Sequence, residues 1–360
     1  MRRMTGNESA PAPAEIAAAL SRRVLGQAWA VQEMSIALAK KLCGLGTGNI
    51  LLVGSSGTGK TTLMRAVEQY LAADPRLAVR SAILRIHANV LGDEAEVGRP
   101  GELVLRRLLE RAREQLGADA APDECLTRAR QGLVFIDEVD KIRSQVGGQP
   151  NVRGIRAQEA LLTLIENEAV VLELPAWMGG GRATVDSSGL LFVAAGAFEG
   201  LYDEVYDRVT IGEDKGALKP VNIVVDGKVR EELQFRLRDW LRQEDLFDYG
   251  MTPQFLSRFD SVVLLEDLDE EQLARIFLET PDSGLQQTRA YFDQRGLKLV
   301  VSPTAVRAVA RAAARQPRLG ARALKEVMRR VVRDLEFEPE RFAREGVVFL
   351  DASDVERALA

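Results

Sequence analysis

The sequence predicts an α/β fold, a largely parallel sheet covered by helices on both faces, followed by a smaller, mainly helical C-terminal module. Three observations predict it. Short apolar runs at 50–53, 82–86, 133–136 and 190–194 alternate with helical patterns at 60–72, 101–116, 156–167 and 230–243, as strands buried on both faces require. The first run leads into the glycine-rich Gly54-Ser55-Ser56-Gly57-Thr58-Gly59-Lys60-Thr61 and then the helical stretch TLMRAVEQYLA. Beyond Leu268 the alternation gives way to helices with two short strands.

Taken in order, residues 1–14 are rich in Pro and Ala and are expected to be disordered. A helix pattern starts at Glu15, breaks at Val24-Leu25-Gly26-Gln27, resumes as AWAVQEMSIALAKKLCG and stops at Gly44 to Gly48. The main domain is expected over 15–268, with a polar, segmented insertion at 209–249. Within the insertion NIVVDGKV reads as a hairpin about Asp226 and Gly227, and EELQFRLRDWLRQEDLF as a helix with Leu233, Leu237, Trp240 and Leu241 on one side. That side is either core or an interface, of subunits or with a dedicated partner. Residues 269–360 form the smaller module: Asp267 or Asp269 caps a helix, and LKLVVS, PTAVRAVARAAARQ, ARALKEVMRRVVRDLEF and VVFL follow as strand, helix, helix and strand. A lid over the main domain is the expected role.

Composition removes several classes. Over 360 residues, 48 Lys and Arg against 53 Asp and Glu leave a net charge of −5, which argues against a broad nucleic-acid-binding surface. No apolar stretch approaches the ~20 residues of a membrane span, and the N-terminus lacks the apolar core of a secretion signal, so the cytosol is expected. Cys43 and Cys125 are too few for a disulfide framework or a thiolate zinc site. His87, the one histidine, reads as a polar residue near a strand end rather than a catalytic base.

Gly54 to Thr61 fits G-x-x-x-x-G-K-T between a strand and a helix, so a nucleoside triphosphate is the expected ligand. Glycines let successive N–H groups turn inward on phosphate oxygens, and the following helix N-terminus adds positive potential. Lys60 is expected to reach the β- and γ-phosphates and the Thr61 hydroxyl to ligate Mg²⁺, with Thr62 completing the binding set. Some 75 residues on, GLVFIDEVDKI ends a buried strand on Asp137 and Glu138. Strand alternation would send the two carboxylates different ways: Asp137 to Mg²⁺, directly or through water, and Glu138 to the attacking water. Arg258 and Arg322 are the candidates for neutralising charge on the transferred phosphoryl group; alone, either would read as a surface arginine.

These pieces, in this order, resemble an AAA+ ATPase of the ClpX and HslU unfoldase branch. The resemblance runs from Val24 to about Leu350, through NILLVGSSGTGKT, LVFIDEVDKI, AQEALLTLIE, LLFVAAGAFEGL, MTPQFLSRFD and LGARALKEVMRRVV. It implies a P-loop sheet domain with a C-terminal lid, ATP and ADP with Mg²⁺ as ligands, and a homo-oligomeric, hexameric ring. It also implies that Val24, Leu25, Gly26 and Gln27 border the adenine, that Arg258 reaches a neighbouring subunit's ATP, and that Arg322 contacts the chain's own nucleotide. The departures bear on function. Ala194, Ala195 and Gly196 occupy the first-sensor position, where other AAA+ proteins carry a polar side chain. Glu96 precedes Val97 and Gly98 where the branch places a gripping aromatic, and a carboxylate cannot replace a ring that wedges against any passing side chain. Arg182 is followed by Ala183 and Thr184 in place of further basic residues, the nearest text to an Ile-Gly-Phe peptidase-docking tripeptide is Ile211, Gly212, Glu213, and no zinc module is expected. The reading is an ATPase that remodels or unfolds a specific protein partner, without peptidase docking. The alternative is a nucleotide-gated assembly or regulatory module acting on nucleic acid or a protein complex. Arg106, Arg107, Arg111 and Arg113 could line a nucleic-acid path, and Glu94 and Glu96 count against it.

Overall fold

The computed structural model describes residues 10–78, 82–91, 100–166, 169–212, 214, 218, 221–225, 228–232 and 235–360. They form two compact units. One comprises Gly48–Val53 and Val79–Leu264; the other comprises the chain up to Thr47, Gly54–Ala78 and Leu265–Ala360.

The first of these carries the sheet: β1 (Asn49–Val53), β2 (Ile83–His87), β3 (Leu133–Asp137), β4 (Leu191–Gly196) and β5 (Phe259–Leu264), in the order β5-β1-β4-β3-β2. All four ladders are parallel. Leu133 to Ile136 and Leu191 to Ala195 are fully buried, which is why these strands read as unbroken apolar runs. β5 was not among the sequence candidates. As an edge strand it has one neighbour, and FDSVVL buries Phe259 and Val263 while exposing Asp260 and Val262, so it lacks the continuous run that marks the other four. Asn49 anchors its start: the amide donates to Arg258 O (3.0 Å) and accepts from Phe192 N (3.0 Å), and the Asn49 N–H donates to Asp260 Oδ2 (3.1 Å). One side chain thus ties together the beginnings of β5, β1 and β4.

The helical pattern at 230–243 is not a helix. Val221–Val225 pairs antiparallel with Lys228–Glu232, and only short helices follow, at Leu237–Trp240 and Gln243–Asp248. The cause is tertiary. Asp245 is held by Arg208 (Nε 2.8 Å, Nη2 2.9 Å) and accepts from the N–H of Arg242 (2.7 Å), which starts a new helix where the pattern would have continued the old one. Leu237, Trp240 and Leu241 do pack against the core; Leu233 and the Asp226-Gly227 turn lie outside the described residues. A second hairpin, Ala169–Glu173 with Arg182–Asp186, also went unread.

In the other unit, helix α1 (Pro13–Ser21) begins two residues before the expected Glu15, with proline in its first turn and Glu15 accepting from Ala12 N (3.2 Å). The rest of the stretch expected to be disordered lies largely outside the described residues. Helices α2 (Ala28–Leu42) and α3 (Lys60–Ala73) follow. The C-terminal part holds α4 (Glu270–Glu279), α5 (Gly284–Gln294), α6 (Pro303–Ala314), α7 (Ala321–Phe337) and α8 (Ala352–Leu359), with Lys298–Val301 and Val347–Leu350 paired in parallel. Asp269 caps α4, accepting from Gln272 N at 2.7 Å. Helix α7 buries Leu324, Val327, Met328, Val331 and Val332 in the core of this part, at the spacing of one helix face.

Candidate functional site

The glycine-rich loop follows β1 and ends where α3 begins, at Lys60. The Lys60 ammonium is buried and folds back onto the loop, donating to the carbonyls of Gly54 and Ser55 (2.8 Å to the latter). Thr58 Oγ1 donates to Ser55 O at 2.9 Å.

Two groups distant in sequence brace this loop. Gln27, 4% exposed, donates through Nε2 to Thr58 O (3.0 Å) and Glu266 O (2.8 Å) and accepts through Oε1 from Glu266 N (3.1 Å). Arg322, at the start of α7, donates to Ser56 Oγ at 2.5 Å, and the adjacent Ala321 N–H donates to Gly57 O at 3.1 Å. The latter contact requires glycine on both sides. A Cβ on Gly57 (φ +78°) would lie 2.0 Å from Leu319 O, and one on Gly320 (φ +49°) 2.7 Å from Gly57 O. Gln27 as a brace and Gly320 as a counterpart of Gly57 were not assigned from sequence; the text LGAR, with glycine just before the candidate arginine, was the available signal. Asp267 lies nearby. Burial pushes its carboxyl up from the ordinary value, against the pull of a hydrogen bond with Ser55 and of the Arg318 and Lys60 charges.

Beside the loop is a cavity of about 180 Å³, bordered by Gly57 to Gly59 and Thr62 and walled by Val24, Leu25, Ala66, Leu268, Ile276, Phe277 and Leu324. Arg23, Arg65, Gln69, Asp282 and Lys325 also line it, and a cavity of mixed apolar and polar lining beside a phosphate-binding loop suits a heteroaromatic ring with polar substituents. Gly26 (φ +77°), between Leu25 and the bracing Gln27, packs against Leu268 and Gln272.

In the unit that carries the sheet, β3 ends at Asp137, and Glu138 leaves the strand in the left-handed region (φ 59°) with its N–H donating to Asp137 Oδ1 (2.9 Å). The two carboxylates are thus separated by a turn rather than by strand alternation. A non-glycine residue with positive φ is sterically costly and concentrates at functional positions. Glu138 Oε2 lies 3.6 Å from Nδ1 of His87, which ends β2 in register with Asp137. His87, read from sequence as a bland polar residue, therefore stands beside the candidate base; its place at the end of a strand preceding β3 was the signal. At the first-sensor position Ala194 and Ala195 are interior to β4, and a Cβ on Gly196 would meet Asp140 Oδ1 at 2.7 Å. The buried Asp140 carboxylate instead accepts from Ala197 N (3.1 Å), fixing the loop after β4.

Arg258 stands at the opposite edge of the sheet. It immediately precedes β5, whereas Asp137 ends β3, and the strands are parallel, so a strand's length of roughly 17 Å separates the two edges. Its guanidinium pairs with Glu166. Arg182 pairs with Glu173 across the second hairpin (3.1 Å), Arg111 with Glu114 (2.8 Å), and Arg113 stacks 4.6 Å over Trp177. Ile211 is 73% exposed after the helix Leu201–Thr210. Glu94, Glu96, Val97, Gly98 and Glu213 lie outside the described residues. Among the described residues no group of three or more His, Cys, Asp or Glu side chains could hold a metal ion, and no helix is long and apolar enough to cross a membrane.

Residues 46–262 match the AAA domain (Cdc48 subfamily), and 268–336 match the C-terminal, D2-small domain of ClpB protein. The ATP-dependent Clp protease ATP-binding subunit ClpX 3 of Methylococcus capsulatus is 31% identical, over 96% of this chain and 80% of that protein. The proteins named ATP-dependent Clp protease ATP-binding subunit ClpX of Azotobacter vinelandii (30% identical; 88% of this chain, 71% of that one) and Bacteroides thetaiotaomicron (29%; 95% and 80%) are similar as well. With a parallel five-stranded sheet, a glycine-rich loop running into a helix and a helical C-terminal part, the chain belongs to the AAA+ ATPases, in their ClpX-like branch, and hydrolyses ATP.

Proposed function

We propose that the chain works as one subunit of a cytosolic, hexameric ring that couples ATP hydrolysis to remodelling of a specific protein partner. The observation that carries this reading is the double brace on the phosphate loop. Gln27 ties Thr58 to Glu266, and Arg322 and Ala321 tie Ser56 and Gly57 to the start of α7, so a nucleotide seated on the loop bears directly on the segments leading into the C-terminal helices. Nucleotide state would thereby become movement of those helices.

Within this reading Lys60 exchanges its two loop carbonyls for the β- and γ-phosphates, backbone N–H groups of the loop receive phosphate oxygens, and the cavity beside Val24 and Leu25 takes the adenine. Thr61 and Asp137 supply a hydroxyl and a carboxylate, an all-oxygen set that suits Mg²⁺ and leaves its other positions to phosphate and water. Bound there, the ion would neutralise phosphate charge. Glu138 orients and deprotonates the attacking water, and Arg322 meets the chain's own nucleotide. Arg258, on the opposite edge of the sheet from Glu138, serves a neighbour's nucleotide. The relatives' names, subunits of an ATP-dependent protease, favour a polypeptide as the partner. The engaged Arg182 and the Ile211-Gly212-Glu213 text favour a partner other than a docked peptidase, and the pairing of Arg111 and the stacking of Arg113 weigh against a nucleic-acid path.

The test is steady-state ATP turnover of Glu138→Gln and Arg258→Ala, with capture of proteins and nucleic acid on the Glu138→Gln chain in ATP. Both variants should lose at least tenfold in turnover, and mixing them should restore a fraction, because each lacks what the other supplies. Undiminished turnover in both defeats the assignment. DNA-stimulated turnover with no protein captured would replace the partner class.

A further inference from the structure

We propose that Glu166 is the positioning residue for Arg258, holding its guanidinium ready for the nucleotide of a neighbouring subunit; this rests on the reading of Arg258 as serving a neighbour. The backbone of Arg258 is fixed on both sides, its N–H donating to Phe255 O (3.2 Å) and its carbonyl accepting from Asn49 Nδ2 (3.0 Å). That leaves the long side chain to be placed. Asp260, the nearest acid in sequence, is taken by the Asn49 N–H (3.1 Å). Among the described residues the guanidinium meets the Glu166 carboxylate, through Nη2 alone.

Glu166 closes the helix Val152–Ile165, its N–H donating to Leu162 O (2.8 Å). A carboxylate at that end meets the helix's own negative pole, where a cation or a neutral side chain would stabilise the fold better. Helix stability therefore does not account for it. The same helix is pinned to the segment that leads to Arg258: Gln158, 0% exposed, accepts from Thr252 N (2.8 Å) and Thr252 Oγ1 (2.9 Å) and donates to Gly250 O (3.0 Å). Carboxylate and arginine thus hang from one framework, and their ion pair sets the torsions that the framework leaves open. An arginine loose in solvent gives up rotamer freedom when it seats on a phosphate, and one already aimed gives up less. A single contact leaves the remaining N–H donors of the fork for the incoming oxygens, so Glu166 aims the guanidinium without occupying it.

The experiment measures steady-state ATP turnover of the full chain carrying Glu166→Ala, Glu166→Gln, Arg258→Ala or Glu166→Ala with Arg258→Ala, each alone and mixed with Glu138→Gln copies. Glu166→Ala should lower kcat about three- to fivefold, the upper end for a partly exposed ion pair, with KM within about twofold and an unfolding midpoint within about 3 °C of the parent. Glu166→Gln, whose amide oxygen still accepts from Nη2, should recover at least half of the loss. In the Arg258→Ala background Glu166→Ala should cost nothing further. Glu138→Gln copies, inactive themselves but offering an intact Arg258 and Glu166, should raise turnover per Glu166→Ala chain, because the neighbour now supplies the aimed arginine; a defect within the chain's own site would not respond. Unchanged or raised kcat in Glu166→Ala, a further loss on top of Arg258→Ala, or no response to the Glu138→Gln copies each overturns the proposal. Full turnover in Arg258→Ala would instead overturn the role of Arg258 on which it rests.

Discussion

Gln27→Ala is the most direct probe of the brace between the phosphate loop and the C-terminal part. The amide makes three hydrogen bonds from a 4% exposed position, and its loss leaves Thr58 O, Glu266 O and Glu266 N to find other partners. At about 1 kcal/mol for each neutral bond the cost is ~3 kcal/mol, with more where the stranded groups stay dry. For a domain of this size class that corresponds to a fall of roughly 6–12 °C in the midpoint of the unit concerned. Because Thr58 belongs to the loop, the loss should also raise the KM for ATP, by about tenfold if half of the energy orders the loop, since 1.4 kcal/mol is one decade. Calorimetry and steady-state turnover check both numbers. Gln27→Glu should be worse than alanine, because it sets a carboxylate against the carbonyls of Thr58 and Glu266. A midpoint within about 1 °C of the parent and an unchanged KM in Gln27→Ala would refute the argument.

Gly320→Ala should raise the KM for ATP more than kcat falls, since its Cβ must displace Gly57 O from 2.7 Å; a KM within twofold of the parent would contradict the packing. His87→Ala should raise basal kcat, by no more than about fivefold, because a half-exposed contact with Glu138 is worth ~0–1 kcal/mol; a fall in kcat would show that His87 assists Glu138 rather than competing with the water. Lys41, buried on α2, has its ammonium pKa lowered by desolvation to about 8. The folded chain then binds fewer protons than the unfolded one above pH 8, so stability should rise from about pH 8 to about 10.5 and the penalty stands in full below 8. Lys41→Met should remove that rise and stabilise the protein at neutral pH by at most about 3 kcal/mol; denaturant titrations across this range decide it.

What was legible in the sequence was local. The glycine-rich loop, the apolar run into Asp137 and Glu138, and the face of α7 each depend on neighbours a few residues away. β5 was hidden because an edge strand needs only alternation, and Asp260 and Ser261 interrupt its apolar character. The helix read at 230–243 failed because Arg208, remote in sequence, fixes Asp245 and resets the chain at Arg242. Gln27 was read as bordering the adenine but not as a brace, and His87 was not read as part of a site, since their partners at Glu266 and Glu138 come from 239 and 51 residues away.

Parallel strands have a consequence for how activity must be measured. Arg258 sits on the rim where the strands start and Glu138 on the rim where they finish, so under the role proposed for Arg258 a solitary chain does not complete its own site. Specific activity then belongs to the assembly: it should fall on dilution, steeper than first order, and recover when inactive copies that still offer Arg258 are added back.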